Sequence, residues 1–281
     1  MSTSPAVAQT YTMGRSESET RRLMLQAELL NPYMRRFLID AGVSAGMKVL
    51  DLGCGPGDVA FLAADLVGET GSVVGIDMNP AVVSVARSRA AEAGRANVSF
   101  VEGDCRSASL PGDFDAVIGR FVLLYTGDVT STLQSVLEHV RPGGIVAFAE
   151  PEFSCVLGFT EAGPSQLNRT FWGWANTTFV SSGSFPNMSL ELYRAFNANG
   201  LGIPTMQVQA PLGGGEGWAG IPWAVESIRS IQPLMEQYGI ISASELDLDT
   251  LGDRLQAEAA QHECPFMLIP FVTAWGNKPL A

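Results

Sequence analysis

The stretch that decides the fold is Val49-Leu-Asp-Leu-Gly-Cys-Gly-Pro-Gly-Asp58. An apolar run over residues 47–52 ends in it, and glycines then recur at alternate positions: Gly53, Gly55 and Gly57. A helical pattern of apolar residues begins directly after the last glycine. The stretch therefore predicts a buried strand, a glycine turn and the N-terminus of a helix, where free backbone N–H groups attract negative charge.

The glycine spacing excludes two common phosphate-binding motifs. A dinucleotide fingerprint needs a third glycine where Asp58 stands, and a P-loop needs a Lys-Ser/Thr pair after its last glycine. What remains is D-x-G-x-G-x-G, in which Asp51 precedes the turn. An acid followed by free backbone N–H groups suits a ligand with an ammonium and a carboxylate at one end.

Residues 51–57, Asp-Leu-Gly-Cys-Gly-Pro-Gly, resemble the first motif of the class I S-adenosylmethionine-dependent methyltransferases. S-adenosylmethionine carries an ammonium and a carboxylate at one end. The resemblance covers residues 45–152 strongly and the two ends of the chain only by position. The plain alternative is an ordinary glycine-rich turn between a strand and a helix. The resemblance implies cofactor contacts from Asp51, Gly53, Gly55 and Gly57.

Four further strand patterns follow along the chain and alternate with helical ones, at residues 72–77, 98–104, 114–120 and 145–150. This alternation predicts an α/β fold with a doubly wound parallel sheet, whose ligands lie at the carboxyl ends of the strands. The resemblance adds that the sheet is Rossmann-like and seven-stranded, with its last strand antiparallel. The predicted strand ends are Gly53, Asp77, Asp104, Arg120 and Glu150.

The resemblance also implies roles for side chains at these strand ends. Asp77 offers two acceptors to the vicinal ribose hydroxyls, and Met78 stacks on adenine. Asp104 accepts from the adenine amino group, while the backbone N–H of Cys105 faces a ring nitrogen. Arg120 ends the fourth strand beside the methyl donor.

Residues 1–42 predict two helices before the first strand, the second of them starting at Asn31-Pro32. Such helices resemble the lid of the family. The alternative for Arg15 and Gln26 is a solvated, polar helix face, and we interpret the basic pair Arg21-Arg22 as a solvated helix face. The side chains that we expect to reach the cofactor from the lid are Tyr11, Arg15 and Gln26.

The composition of the sequence changes after the predicted cofactor-binding core, residues 43–152. The first insertion, residues 153–186, carries several Phe and Trp residues, and the second, residues 212–262, contains glycine-rich turn and helical patterns with Trp218 and Trp223. We interpret both insertions as a cap over the substrate. The aromatic residues alternatively fill the core of the cap itself. Residues 187–211 continue the core between the insertions, and residues 263–281 contain the final strand.

Composition excludes several partners and sites. The net charge is −12, so a phosphate backbone is repelled and a nucleic-acid substrate is not expected. The sequence shows no basic and then apolar leader pattern at its N-terminus and no uninterrupted apolar stretch of 18 residues. We therefore expect a cytoplasmic protein without a membrane span. The four cysteines are scattered, so neither a zinc site nor a disulfide framework is expected. The oligomeric state, including a homo-oligomer, stays open.

These features predict methyl transfer from S-adenosylmethionine to a small, largely apolar or aromatic molecule such as a specialised metabolite, by in-line displacement. Two alternatives stay open: a cyclase or rearrangement enzyme that retains its cofactor, and a non-catalytic cofactor-sensing module. The candidate bases are His262, Glu150 and Tyr125, of which His262 is alternatively a solvated loop residue. An electron-rich carbon acceptor needs no strong base.

Overall fold

The computed structural model describes residues 17–106, 110, 112–215 and 217–280. The predicted lid residues Tyr11 and Arg15 lie outside them. The strands are β1 Lys48–Leu52, β2 Ser72–Asp77, β3 Val98–Glu102, β4 Phe114–Arg120, β5 Val140–Pro151, β6 Thr205–Gln209, β7 Leu212–Gly213, β8 Phe266–Met267 and β9 Phe271–Asn277. The helices are α1 Glu17–Ala41, α2 Asp58–Val67, α3 Pro80–Glu92, α4 Val129–Leu137, α5 Phe153–Ala162, α6 Gln166–Ser181, α7 Met188–Ala198, α8 Gly220–Gln237, α9 Ala243–Leu246 and α10 Leu248–Gln261.

A seven-stranded sheet forms the centre of the molecule, with the strand order β3-β2-β1-β4-β5-β9-β6. Strands β1 to β5 pair in parallel, whereas β9 runs antiparallel to both β5 and β6. Successive residues of β1 belong to opposite hydrophobic clusters, Val49 to one and Leu50 to the other, because helices cover both faces of the sheet. The predicted seven-stranded doubly wound sheet with an antiparallel last strand is confirmed.

The N-terminal segment forms one helix, so the prediction of two helices was wrong. Pro32 lies inside α1, where it lacks the N–H that would continue the helical hydrogen bonds. The fully buried side chains of Met34 and Leu38 anchor the helix beyond the proline. Asn31 does not cap a second helix, because its Oδ1 accepts a hydrogen bond from Arg120 Nη1 at 3.1 Å.

Two predicted strand boundaries also differ from the structure. The turn expected at residues 141–144 lies within β5, and a register shift opposite it, between Phe114 and Ala116, absorbs the irregularity. The final strand predicted from residue 265 is divided into β8 and β9 by Pro270, which has no N–H to donate to a sheet. Only β9 belongs to the main sheet, whereas β8 pairs with β7 in a separate two-stranded sheet.

The two insertions are helical and pack together. Helices α5 and α6 form the first, and helices α8 to α10 form most of the second. Their buried residues, among them Trp172 and Trp223, share one hydrophobic cluster with Phe266 of β8. Helix α1 packs against α8, so the N-terminal helix contacts the second insertion directly. We interpret this assembly as the cap and lid that the sequence predicts.

Candidate functional site

A cavity of about 940 Å³ opens at the carboxyl ends of the parallel strands. Such an edge is where open α/β sheets bind their ligands. Gly57, Glu150 and His262 do not line this cavity. The residues predicted from the sequence that do line it are Gln26, Asp51, Gly53, Gly55, Asp77, Met78, Asp104, Cys105, Arg120 and Tyr125.

The glycines of the first motif adopt left-handed backbone conformations, with φ of 58° at Gly53, 52° at Gly55 and 93° at Gly57. A Cβ atom at Gly53 would lie 2.6 Å from Val122 Cγ2, and one at Gly57 would lie 2.7 Å from Phe100 Cζ. A Cβ atom at Gly55 would meet nothing within 4 Å. Gly53 and Gly57 are therefore required for packing, whereas Gly55 faces open space in the cavity.

This difference predicts unequal costs for two alanine substitutions. Gly55→Ala should lower the free energy of unfolding by about 1–2 kcal/mol, the cost of a left-handed conformation with a Cβ atom. Gly53→Ala carries the same strain and must also displace Val122, so we expect a larger loss. Urea unfolding of both variants measures the difference, and equal losses would contradict the close approach of Val122.

Asp51 is a buried carboxylate at the end of β1 with unused hydrogen-bonding capacity. It is 1% exposed, and its Oδ2 has no hydrogen-bond partner among the described residues. Burial raises the pKa of Asp51 to about 8, although the charge of Arg120 acts in the opposite direction. A buried acceptor without a partner at the cavity wall suits a cationic group such as an ammonium.

Asp77 links the glycine turn to the start of α3. Its Oδ2 accepts from the backbone N–H of Gly55 at 3.0 Å, and its Oδ1 accepts from the backbone N–H of Asn79 at 2.8 Å. A carboxylate offers about four acceptor sites, so Asp77 can accept from a diol in the cavity as well as from these backbone groups. Met78, which follows it, is 64% exposed and lines the same cavity, as a residue that stacks on adenine would.

Asp104 has a partner that the sequence analysis did not anticipate. Arg106 forms an ion pair with it, at 2.6 Å from Arg106 Nη2 to Asp104 Oδ2, and this bond lowers the pKa of Asp104. An adenine amino group would therefore share the carboxylate with Arg106. In the sequence, the signal for this ion pair is the arginine two residues after the acid. Burial raises the pKa of the adjacent Cys105 thiol to about 11, so this thiol stays protonated at neutral pH.

Helix α1 brings a second unanticipated cation to the cavity. Arg22 and Gln26 lie one turn apart, are each 4% exposed and both line the cavity. Arg22 Nη1 donates to Gln26 Oε1 at 2.9 Å. The interpretation of the Arg21-Arg22 pair as a solvated face was wrong for Arg22, which is buried and lines one cavity together with residues of α8.

Glu150 has a structural role instead of the predicted catalytic one. It is fully buried, and its carboxylate accepts from three backbone N–H groups, those of Val122 at 3.1 Å, Leu123 at 2.8 Å and Leu124 at 3.3 Å. These bonds hold the start of the short 3-10 turn Leu123–Tyr125. Because the backbone uses its oxygens and it lies outside the cavity, Glu150 is not placed to accept a proton from a substrate.

His262 is also not placed for catalysis. It is exposed at the C-terminal end of α10 and does not line the cavity. The prediction assumed that His262 directly precedes the last strand of the main sheet, whereas it precedes β8 of the small sheet.

Tyr125 is the predicted base that the structure does place at the cavity. Its ring packs against Phe179, with the ring centroids 6.3 Å apart.

Phe121, which follows β4 and lines the same cavity, has a left-handed backbone conformation with a φ of 56°. Left-handed conformations are rare for bulky residues and occur often at functional sites.

The raised pKa values of two buried carboxyl groups predict how the stability of the ligand-free protein depends on pH. Burial raises the pKa of Asp51 to about 8 and that of Glu150 to about 7. At a pH between the ordinary and the raised pKa, these carboxyl groups are ionised in the unfolded chain but stay protonated in the folded one. Rising pH therefore favours unfolding. We expect the free energy of unfolding in urea to fall from pH 5 to pH 8, and to fall less steeply in Glu150→Gln. A wild-type profile that is flat or rises over this range would contradict these assignments.

No helix among the described residues is long and apolar enough to cross a membrane. In the same part of the chain, no group of three or more His, Cys, Asp or Glu side chains is arranged to hold a metal ion.

Comparisons with known proteins point to one family. A family model described as "Methyltransferase domain" matches residues 43–184. Aklanonic acid methyltransferase DauC from Streptomyces sp. strain C5 is 35% identical over 130 residues, which cover 46% of this chain and 59% of the relative. The ubiquinone/menaquinone biosynthesis C-methyltransferase UbiE from Pseudomonas putida is 37% identical over 123 residues, 42% of this chain and 48% of the relative. The chain thus spans about half the length of the curated relatives it matches.

Solved structures share the fold at low sequence identity. The YcgJ protein from Bacillus subtilis superimposes with a TM-score of 0.56 at 19% identity, covering 88% of this chain and 98% of that one. The [4+2]-cyclase SpnF superimposes with a TM-score of 0.53 at 17% identity, covering 98% of this chain and 88% of that one. The family match extends over half of the chain and contains the glycine motif and all five parallel strands. The chain belongs to the class I S-adenosylmethionine-dependent methyltransferases.

Proposed function

We propose that this protein transfers a methyl group from S-adenosylmethionine to a small, largely apolar or aromatic organic molecule. The observation that carries the proposal is the composition of the cavity at the strand ends. One part of its wall consists of the acidic and glycine residues of the first strands, and another part includes Phe121 and Tyr125 beneath the cap. A polar cofactor site and an apolar acceptor site would thus adjoin.

The residues at the strand ends fit the parts of the cofactor. Asp51, with its unpartnered Oδ2, would hold the ammonium, and Asp77 would hold the ribose hydroxyls. Met78, Asp104 and Cys105 would surround the adenine. When bound, S-adenosylmethionine supplies an electrophilic methyl group on a sulfonium.

The protein would contribute mainly by positioning the acceptor. A nucleophilic atom must be held about 3–3.5 Å from the atom that it attacks, with the leaving group in line. Residues of α1, α6 and α8 line the cavity or adjoin it and would exclude water. Where an acceptor must lose a proton, Tyr125 is the proposed base, and an unchanged rate in Tyr125→Phe would remove it from that role.

The names of the relatives support a small organic acceptor. DauC is named for aklanonic acid, and UbiE for C-methylation in ubiquinone and menaquinone biosynthesis. Each match spans less than half of this chain, so neither relative is matched over the core and both insertions of the cap. The identity of the acceptor therefore depends on experiment.

Incubation with S-adenosylmethionine labelled in the methyl group and a metabolite extract tests the proposal. We expect a labelled small molecule and one S-adenosylhomocysteine for each methyl group transferred. Conversion of a metabolite without S-adenosylhomocysteine would instead indicate a cofactor-retaining reaction such as cyclisation. Binding of the cofactor without conversion of any component would favour a non-catalytic module.

A further inference from the structure

A smaller cavity of about 60 Å³ adjoins the main cavity beneath the cap. The two cavities share lining residues from α1 and from the segment after β4, namely Arg22, Gln26, Phe121 and Tyr125. Side chains of α6 and α8 form much of the remaining wall, and most of them are aromatic or aliphatic. We call this space the cap chamber.

Two tryptophans that line the cap chamber carry indole N–H groups without a partner. Trp172 of α6 is 4% exposed and Trp223 of α8 is 5% exposed. Each Nε1 atom is buried and makes no hydrogen bond to any described residue. A buried indole N–H normally has a partner, because an unmade bond at a desolvated donor is costly. Because both tryptophans line one small cavity, a ligand bound there with acceptor atoms is the candidate partner for these donors.

Packing fixes the position of at least one of these donors. The ring of Trp172 lies edge-on to Phe171 at a centroid distance of 5.0 Å, and tilted against Phe266 at 6.0 Å. A side chain held by two rings keeps its N–H in place without a ligand. The chamber thus holds at least one hydrogen-bond donor in place within a largely apolar wall that also contains Arg22, Gln26 and Ser227. A mostly apolar wall with a few polar groups is the usual composition of a specific small-molecule site.

We propose that the cap chamber binds the oxygen-bearing edge of a planar aromatic ketone or quinone-like acceptor, whose carbonyl oxygen accepts from the indole N–H groups of Trp172 and Trp223. This inference rests on the proposed function, since it names the acceptor class of the same site. A chamber of 60 Å³ has room for such an edge but not for a ring system, so the aromatic body would lie in the main cavity against Phe121 and Tyr125. About two water molecules would also fit in this volume. The test below distinguishes water from a carbonyl-bearing ligand as the occupant of the chamber.

A pair of inert probes separates the role of the oxygen from that of the hydrocarbon. 1-Tetralone and tetralin share a bicyclic carbon skeleton and differ by one carbonyl oxygen. The chain contains five tryptophans, so protein labelled with ¹⁵N-tryptophan gives five indole N–H signals. Titrations are run with and without S-adenosylhomocysteine. We expect 1-tetralone to shift the signals of Trp172 and Trp223, and tetralin to leave them nearly unchanged.

Phenylalanine substitutions assign the signals and measure the contribution of each donor. Trp172→Phe and Trp223→Phe keep an aromatic ring but remove the N–H. Each should weaken 1-tetralone binding roughly 3- to 10-fold, the usual net effect of one hydrogen bond, and leave tetralin binding unchanged. Trp174→Phe is the matched control, because Trp174 lies on the same helix and does not line the chamber.

Three results would overturn the inference. They are equal affinities for 1-tetralone and tetralin, shifts confined to the other three tryptophans, and unchanged 1-tetralone affinity in both variants, which would leave water as the occupant of the chamber. Failure of S-adenosylhomocysteine to bind would instead contradict the proposed function. The titration with 1-tetralone alone would still report on the chamber in that case.

Discussion

Asp51→Asn should weaken the binding of S-adenosylhomocysteine about 30-fold or more. The substitution keeps the size of the side chain but removes the negative charge at a position that is 1% exposed. Loss of one partner from a buried, hydrogen-bonded charge pair costs about 2–5 kcal/mol, and 2 kcal/mol corresponds to a factor of about 30 in affinity. Isothermal titration calorimetry on wild type and variant measures the change.

The same variant should be more stable than the wild type in the absence of ligand. At pH 8, a buried carboxyl whose pKa is about 8 is partly ionised at a cost that asparagine does not have. Binding and stability therefore change in opposite directions, as is common where a site is optimised for a ligand. Asp65→Asn in α2 is the matched control, because it removes the same charge from an exposed position.

A ligand without the amino-acid group makes the test specific. 5′-Methylthioadenosine retains the adenosine of the cofactor but has no ammonium, so Asp51→Asn should leave its affinity unchanged. If Asp51→Asn binds S-adenosylhomocysteine as tightly as the wild type, or weakens both ligands equally, Asp51 does not contact the ammonium.

Asp77→Ala should weaken S-adenosylhomocysteine and 5′-methylthioadenosine alike, by about 10- to 100-fold. Hydrogen bonds to a charged group contribute about 1.5–3 kcal/mol, which corresponds to this range of affinities. Both ligands contain the ribose diol that we assign to Asp77. The structure adds a second reason for the loss, because the carboxylate also holds the backbone N–H groups of Gly55 and Asn79.

Urea unfolding and calorimetry of Asp77→Ala are measured together. The variant must remain folded at the temperature of the titration, so that weak binding reports on the site. Asp77→Asn keeps one acceptor oxygen and should give an intermediate affinity for both ligands. Unchanged affinity for 5′-methylthioadenosine in a folded Asp77→Ala protein would exclude Asp77 from the ribose site.

The sequence predicted the core of the fold because that information is local. Alternation of short apolar runs with helical patterns indicates parallel strands, and the carboxyl ends of parallel strands meet at one edge. Asp51, Asp77 and Asp104 were therefore expected to meet, and they line one cavity. Asn79 at the start of α3 behaves as a local rule predicts, since its Oδ1 accepts from the backbone N–H of Ala81.

The predictions that failed depend on contacts between distant parts of the chain. Glu150 binds backbone N–H groups 26 to 28 residues away, so its role is not visible in its own strand. His262 was assigned by its distance along the chain to a strand that Pro270 divides. Arg22 is buried and lines a cavity with residues of α8, a helix about 200 residues later in the chain. Tertiary packing thus decided which polar residues face the cavity.

A crystal structure with S-adenosylhomocysteine tests the central claim most directly. We expect one ligand molecule in the cavity of about 940 Å³, with its ammonium at Asp51 and its ribose at Asp77. A ligand bound elsewhere, or bound in this cavity without contacts to Asp51 and Asp77, would contradict the assignment of the cofactor site.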